Sequence, residues 1–176
     1  MQINSFKDYV EFTRTTAVYP KDKELEYLFF GLIDEIGELR GKLLYNDHSV
    51  GSVIDELSDV CWYTGRLVDN LGLINELDGI DIYDTTNIPS RDKLDMIDEL
   101  YHMTSIMAGG LKKFIRDGNE SKMMLVERTL IEFIHWLRHT STILGGYNLK
   151  NVLEINVRKL SDRKDRGVLK GDGDSR

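Results

Sequence analysis

Two pairs of acidic residues lie inside strongly apolar segments of this chain. Glu35 and Glu38 form the first pair, and Glu56 and Asp59 form the second. The spacing within each pair places both carboxylates on one face of an α-helix, about 5 Å apart. If the two segments form a helical hairpin, the four acids meet in the interior of a helical bundle. Because carboxylates there repel one another and lose their hydration, the pattern predicts a bound cation.

The residue types at this predicted site favour a hard metal ion. Carboxylate oxygens without histidine or cysteine suit Mg²⁺, with Mn²⁺ as a substitute, rather than zinc. Asp34 and Asp55 each directly precede one of the pairs and are candidates for outer ligands. The sequence therefore predicts metal-dependent chemistry on phosphates.

The composition narrows the class of protein. The 176 residues include 23 basic and 30 acidic side chains, a net charge of −7, which argues against a general nucleic-acid-binding surface. No segment has the apolar length of a membrane span or the pattern of a signal peptide, so we expect no membrane association and a cytoplasmic protein. Cys61 is the only cysteine, which excludes an intrachain disulfide.

Apolar residues recur at helical spacing along most of the chain, and only two prolines interrupt it. This pattern predicts an all-α fold with a four-helix-bundle core, built from two tandem helical hairpins with an N-terminal helix and a short C-terminal helix. The predicted helices span residues 3–16, 22–45, 50–71, 93–116, 121–144 and 149–161. We interpret the chain as a single domain with four parts: a metal-binding hairpin over 1–72, a connecting loop over 73–92, a second hairpin over 93–146, and a C-terminal helix with a basic tail over 147–176.

The two predicted hairpins resemble each other in sequence. The segment from Trp62 to Gly72 aligns without a gap to the segment from Trp136 to Gly146. Under the shifts that align the hairpins, the four acids fall on Met103, Ile106, Leu130 and Phe133. We therefore predict that 93–146 is a degenerate copy without metal, whose four hydrophobic residues meet in one buried cluster. The alternative is coincidence, because four-helix proteins share a generic apolar rhythm.

Three sequence strings resemble the MazG-like branch of the all-α NTP pyrophosphatase superfamily, which also includes dimeric dUTPases and dCTP pyrophosphatases. They are DEIGEL at 34–39 after the lead-in YPKDKELEYLFFGL, DELSDVCWY at 55–63, and the C-terminal string NVLEINVRKLSDRKDRGVLKGDGDSR. The resemblance covers about 19–72 and 146–176. The intervening hairpin is a departure, since simple members lack it and assemble their four-helix core from two chains. A homodimer therefore stays open for this chain.

The resemblance implies a Mg²⁺-dependent pyrophosphohydrolase that cleaves a (d)NTP to a (d)NMP and pyrophosphate and removes non-standard or excess nucleotides. It implies the metal ligands Glu35, Glu38, Glu56 and Asp59, of which Glu35 or Glu38 is also the catalytic base. It implies the substrate-binding residues Tyr63, Asn156, Lys159, Arg163 and Arg166. A dUTPase-like or dCTPase-like preference remains open within this class. From another class, the alternative is a catalytically silent helical module that binds nucleotide or a partner protein.

Some of the conspicuous residues also have ordinary structural interpretations. Tyr63 can be a core aromatic residue, and the C-terminal basic run can be a solvated tail. Trp62 and Trp136 are expected as core anchors. His135 and His139 have the spacing of a zinc pair, but the sequence offers no third ligand nearby, so we interpret them as structural or surface residues.

Overall fold

The computed structural model describes residues 2–45 and 49–170. Within these ranges the chain forms six α-helices and two short 3₁₀-helices, and it contains no β-strand. The α-helices are α1 (Phe6–Arg14), α2 (Glu24–Leu44), α3 (Val50–Asn70), α4 (Lys93–Asp117), α5 (Glu120–Gly145) and α6 (Leu149–Asp165). The 3₁₀-helices are Lys21–Lys23 and Ile74–Leu77. The prediction of an all-α fold is confirmed.

The helices begin and end at residues that satisfy the free backbone groups of their terminal turns. Ser5 starts α1 with a capping box, in which its hydroxyl accepts from the Asp8 amide and the Asp8 carboxylate accepts from the Ser5 amide. At the start of α4, the Asp92 carboxylate accepts from the Asp95 amide. Gly118 and Gly146 follow α4 and α5 with φ of 64° and 71°, the left-handed conformation that glycine adopts most easily. These signals set the turns between consecutive helices.

The helices pack in pairs that follow their order in the chain. α2 packs on α3, and α4 packs on α5; the two pairs meet through α2 against α4 and α3 against α5. α1 and α6 both lie on α3, and α6 also contacts α5. One apolar core runs through all six helices. The first pair therefore has helices on its outer side, which places α6 beside the acidic residues of α3.

The prediction that the four hydrophobic residues aligned with the acids form one buried cluster is wrong at one of them, Ile106. Met103, Leu130 and Phe133 are buried in the core, whereas Ile106 is only partly buried. The interior of the second hairpin is thus apolar at these three positions. A common origin of the two hairpins stays a prediction.

Two helices, α1 and α6, differ from the sequence-based prediction by three residues or more at one end. α1 is shorter than 3–16, because the cap at Ser5 fixes its start and Thr15 ends it. α6 reaches Asp165 rather than 161, since Leu160 packs against the core and Arg163 is buried. The predicted turn at 46–48 and the last six residues of the tail, 171–176, lie outside the described residues.

The connecting segment is held against the helical body. Leu77 and Ile82 are buried, and the amide of Lys150 at the start of α6 donates to the carbonyl of Ile82 over 3.0 Å. None of the helices in the described ranges has the length and apolarity needed to cross a membrane.

Candidate metal centre and adjoining cleft

Three of the four predicted metal ligands converge between α2 and α3. Glu35 and Glu38 come from α2, and Glu56 comes from α3. Each residue contributes one carboxylate oxygen, and these three oxygens lie within 4.8 Å of one another. Within residues 2–45 and 49–170, this is the only group of three or more His, Cys, Asp or Glu side chains close enough to share one ion.

The fourth predicted ligand, Asp59, lines the same cleft but already has two protein partners. The Lys159 ammonium lies 2.6 Å from one Asp59 carboxylate oxygen, and the Asn156 amide donates to the other over 3.1 Å. Lys159 also lies 3.1 Å from Asp55. Asn156 is fully buried and accepts a 2.8 Å hydrogen bond from the Tyr9 hydroxyl. α1 and α6 together therefore hold the Asp59 carboxylate in place.

The electrostatics of the cluster favour a cation. Burial, followed by the charges of Asp59, Glu56 and Glu38, raises the pKa of Glu35 to about 9. Burial also raises the pKa of Asp59, and the Lys159 ammonium offsets this only in part. For Lys159, burial lowers the pKa, but the neighbouring carboxylates outweigh it and the net shift is upward. The negative charge of this centre is thus only partly balanced.

The donor chemistry fits a hard divalent ion. Glu35, Glu38 and Glu56 offer only carboxylate oxygens, which are the ligands that Mg²⁺ and Mn²⁺ prefer. Bringing a divalent cation among them removes the repulsion that raises the pKa of Glu35. These three residues, with Asp59 beside them, can hold such an ion.

Lys42 contributes a second cation that the sequence analysis did not single out. Its ammonium contacts the buried Glu56 carboxylate, on the side of the cluster formed by α2. The sequence contained a signal for this contact, because Lys42 follows Glu38 by four residues and therefore shares its helical face.

Beside the acids lies a cleft with a volume of about 260 Å³, and aromatic side chains line it. Tyr19 stacks on Tyr27 with ring centroids 4.9 Å apart, and Trp62 meets Tyr63 edge-on at 5.0 Å. The ring centroids of Tyr19 and Trp62 are also 6.2 Å apart, as are those of Tyr27 and Tyr63. We call Tyr19, Tyr27, Trp62 and Tyr63 the aromatic wall. Trp62 is buried, as expected of a core anchor, and its indole N–H donates to the Thr16 hydroxyl.

The Tyr63 ring lies directly over Gly31 of α2. A Cβ atom at Gly31 would be 2.1 Å from the Tyr63 Cε1, so the ring occupies space that only a glycine leaves open. Burial, followed by a hydrogen bond with Tyr27, raises the pKa of the Tyr63 hydroxyl. Tyr63 thus lines the same cleft as the acids and contacts Tyr27 and Trp62 of the aromatic wall. Its predicted contact with a phosphate stays a prediction.

The predicted basic residues of α6 occupy three different places. Arg163 is buried and lines the cleft, and Lys159 contacts Asp59. Arg166 caps the end of α6 and donates to Asp162 over 2.8 Å, and it is not among the residues that line the cleft. His135 and His139 lie on α5, where the His139 ring contacts Trp136.

Tyr19 and Tyr27 were not singled out as site residues from the sequence, although Tyr27 lies eight residues before Glu35 and shares its face of α2.

A comparison of the chain with protein-family models, with curated proteins and with solved structures finds no significant match.

Proposed function

We propose that this protein is a Mg²⁺-dependent nucleoside triphosphate pyrophosphohydrolase that converts a (d)NTP and water to a (d)NMP and pyrophosphate. The main support is the convergence of the Glu35, Glu38 and Glu56 carboxylates beside a cleft that also contains the aromatic wall and Arg163. A nucleoside triphosphate needs these three elements together: a metal site, a cation for phosphate and a surface for the base. The reaction class comes from the resemblance to MazG-like enzymes, and the cytoplasm is the expected compartment.

The chain's residues have distinct roles in this proposal. Glu35, Glu38, Glu56 and Asp59 would hold the metal, and Asn156 keeps Asp59 oriented through its hydrogen bond. When bound, the Mg²⁺ would neutralise charge on the phosphate oxygens and lower the pKa of a bound water. Water attacks the α-phosphorus, the bond from that phosphorus to the bridging oxygen breaks, and pyrophosphate leaves. Glu35 or Glu38 accepts the proton of the attacking water.

The substrate would lie along the cleft from the acids to the aromatic wall. Arg163, which lines the cleft, suits a phosphate because its guanidinium can donate two parallel hydrogen bonds. The aromatic wall suits the nucleobase, since every base has a flat face that stacks on tyrosine or tryptophan. Stacking tolerates many bases, which agrees with a role in removing non-standard or excess nucleotides.

One observation favours a second candidate, a catalytically silent helical module. Lys42 contacts Glu56, and Lys159 bridges Asp55 and Asp59, so lysines of the chain itself neutralise part of the acidic cluster. Such pairs can keep buried acids for structural reasons alone. Under this alternative, the chain binds nucleotide or a partner protein without turnover.

Pyrophosphate release distinguishes the two candidates. The purified chain should be assayed with canonical and modified (d)NTPs in Mg²⁺, in Mn²⁺ and in excess chelator. We expect metal-dependent release of pyrophosphate, and we expect this release to be lost in Glu38→Gln. Because Glu38 is exposed, its replacement should not disturb the fold. Glu26→Gln, at an exposed position near the start of α2, is the matched control and should retain activity. Absence of release with every nucleotide, or full activity of Glu38→Gln, would reject the enzymatic proposal.

A further inference from the structure

Arg66 of α3 is a buried cation outside the acidic cluster, and its side chain is 3% exposed. Its Nε donates to the Tyr19 hydroxyl over 2.9 Å. Its two terminal nitrogens donate to Glu24 over 2.9 Å and to Asp69 over 2.7 Å. All three nitrogens of the guanidinium therefore donate a hydrogen bond, and these bonds fix the orientation of Arg66. A buried guanidinium without such partners would be costly.

Tyr19 receives its position from this arginine. Its hydroxyl accepts from Arg66 and donates to Glu24 over 2.6 Å, so both of its hydrogen-bonding directions are used. Its ring stacks on Tyr27 and faces the edge of Trp62 in the aromatic wall. Tyr19 lies in the non-helical segment between α1 and the 3₁₀-helix, where no helical backbone holds it. The hydrogen bonds of the hydroxyl thus connect the Tyr19 ring to Glu24 of α2 and Arg66 of α3.

We propose that Arg66 is a positioning residue that fixes Tyr19 in the aromatic wall and thereby sets the affinity for the nucleotide. Arg66 does not line the cleft, so it acts through Tyr19 rather than on the substrate. The carboxylates that Arg66 pairs with are Glu24 and Asp69, not those of the acidic cluster. This inference rests on the proposed function, and it adds a residue that contributes to binding without contributing to the chemical step.

The inference predicts a separation of KM from kcat. Tyr19→Phe keeps the ring and removes only the hydroxyl that Arg66 and Glu24 hold. We expect KM for a (d)NTP to rise about five- to tenfold, which is the size expected for the net contribution of one ordinary hydrogen bond. We expect kcat to stay within about twofold, because this substitution leaves the catalytic acids unchanged. Arg66→Lys should raise KM in the same direction, since an ammonium cannot reproduce the three-way fork.

Arg14→Gln is the matched control. Arg14 contacts Asp69 from the exposed side of the same ion-pair network but does not contact Tyr19. Its replacement should lower stability slightly and leave KM unchanged. A purely structural network would instead change the melting temperature in all three variants and KM in none.

A binding measurement makes the test independent of turnover. In a Trp136→Phe background, Trp62 is the only tryptophan and reports on the wall through its contact with Tyr19. We expect Tyr19→Phe to shift Trp62 emission and to weaken binding of an α,β-imido nucleoside triphosphate with Mg²⁺. If the wild type is active and Tyr19→Phe binds and turns over normally, this inference fails and the proposed function stands. If the wild type neither binds nor hydrolyses nucleotides, both fail. Should Arg66→Lys not fold, Tyr19→Phe alone decides.

Discussion

The ammonium of Lys159 lies between two carboxylates, 2.6 Å from Asp59 and 3.1 Å from Asp55. The Lys159 and Asp59 side chains are only 14% and 18% exposed, so water screens this pair weakly. Removing one partner leaves the other charge buried and uncompensated. We therefore expect Lys159→Met to lower the free energy of unfolding by about 2–4 kcal/mol, measured by urea denaturation.

Lys7→Met is the control for that substitution. Lys7 pairs with Asp78 at 2.6 Å, but these side chains are 36% and 82% exposed. An exposed pair contributes little, so its loss should change stability by less than about 0.5 kcal/mol. Equal effects of the two substitutions would show that burial does not distinguish the two pairs.

A second residue-scale prediction concerns acid stability. Burial alone would raise the pKa of Asp69, but its hydrogen bonds with Arg14 and Arg66 outweigh burial and lower it. Near pH 4 the unfolded chain therefore binds more protons at this residue than the folded chain does. The stabilisation is present above the unfolded pKa and disappears as pH falls through the lower folded pKa. Asp69→Asn should be less stable than wild type at neutral pH, and the difference should narrow toward about pH 3.

Urea denaturation at several pH values measures this directly. A stability difference between wild type and Asp69→Asn that stays constant from neutral to acidic pH would contradict the assignment. Glu24 should behave in the same direction, because its hydrogen bonds with Tyr19 and Arg66 outweigh burial and lower its pKa.

The sequence could predict some of these residues and not others. The convergence of Glu35, Glu38 and Glu56 follows from their spacing on two consecutive helices, which is a local property of the chain. The contact of Arg66 with Tyr19 joins a helix to a non-helical segment many residues away, and no periodicity relates the two positions. Sequence patterns report which residues share a helix face. They do not report which loop residue packs against that face.

At the scale of a single helix, Gly31 of α2 leaves the space that the Tyr63 ring of α3 occupies. An alanine at position 31 would gain about 1 kcal/mol of helix propensity but would push against a ring packed between Tyr27 and Trp62. We expect Gly31→Ala to lower the free energy of unfolding by about 1–3 kcal/mol and to raise KM, because Tyr63 must leave its position.

Gly41→Ala provides the matched comparison on the same helix. A Cβ atom at Gly41 would meet nothing within 4 Å. The substitution should therefore raise stability by about 0.5–1 kcal/mol and leave pyrophosphate release unchanged. If both alanine variants were stabilising, the close contact between Gly31 and Tyr63 would not exist in solution.

The C-terminal ends of the helices were predicted best where a glycine follows them. Gly118 and Gly146 end α4 and α5 within a residue or two of the predicted boundaries. The predicted end of α6 was wrong, because no glycine or proline interrupts the helix before Asp165 and its last turns pack against the other helices. That packing also makes Arg163 a helical residue of the cleft rather than part of a tail.

At the scale of the whole molecule, the two hairpins differ in what they enclose. The first brings three carboxylates together, whereas the matching positions Met103, Leu130 and Phe133 of the second are buried in the apolar core. The partial exposure of Ile106 was not foreseen, because sequence periodicity assigns a residue to a face but not to a depth. The second hairpin thus acts as a packing partner for the first.

This asymmetry leads to a stoichiometry that calorimetry can measure. In the described part of the chain only one carboxylate cluster can hold a metal, so a single chain should bind one α,β-imido nucleoside triphosphate in the presence of Mg²⁺. Glu38→Gln should weaken or abolish this binding, since it removes one carboxylate from the only such cluster among the described residues. A ratio of two nucleotides per chain would reveal a second site and contradict the apolar interior of α4 and α5. A ratio of one nucleotide per two chains would show that the site needs a second subunit, although residues of α2, α3, α6 and the segment after α1 in one chain already line the cleft.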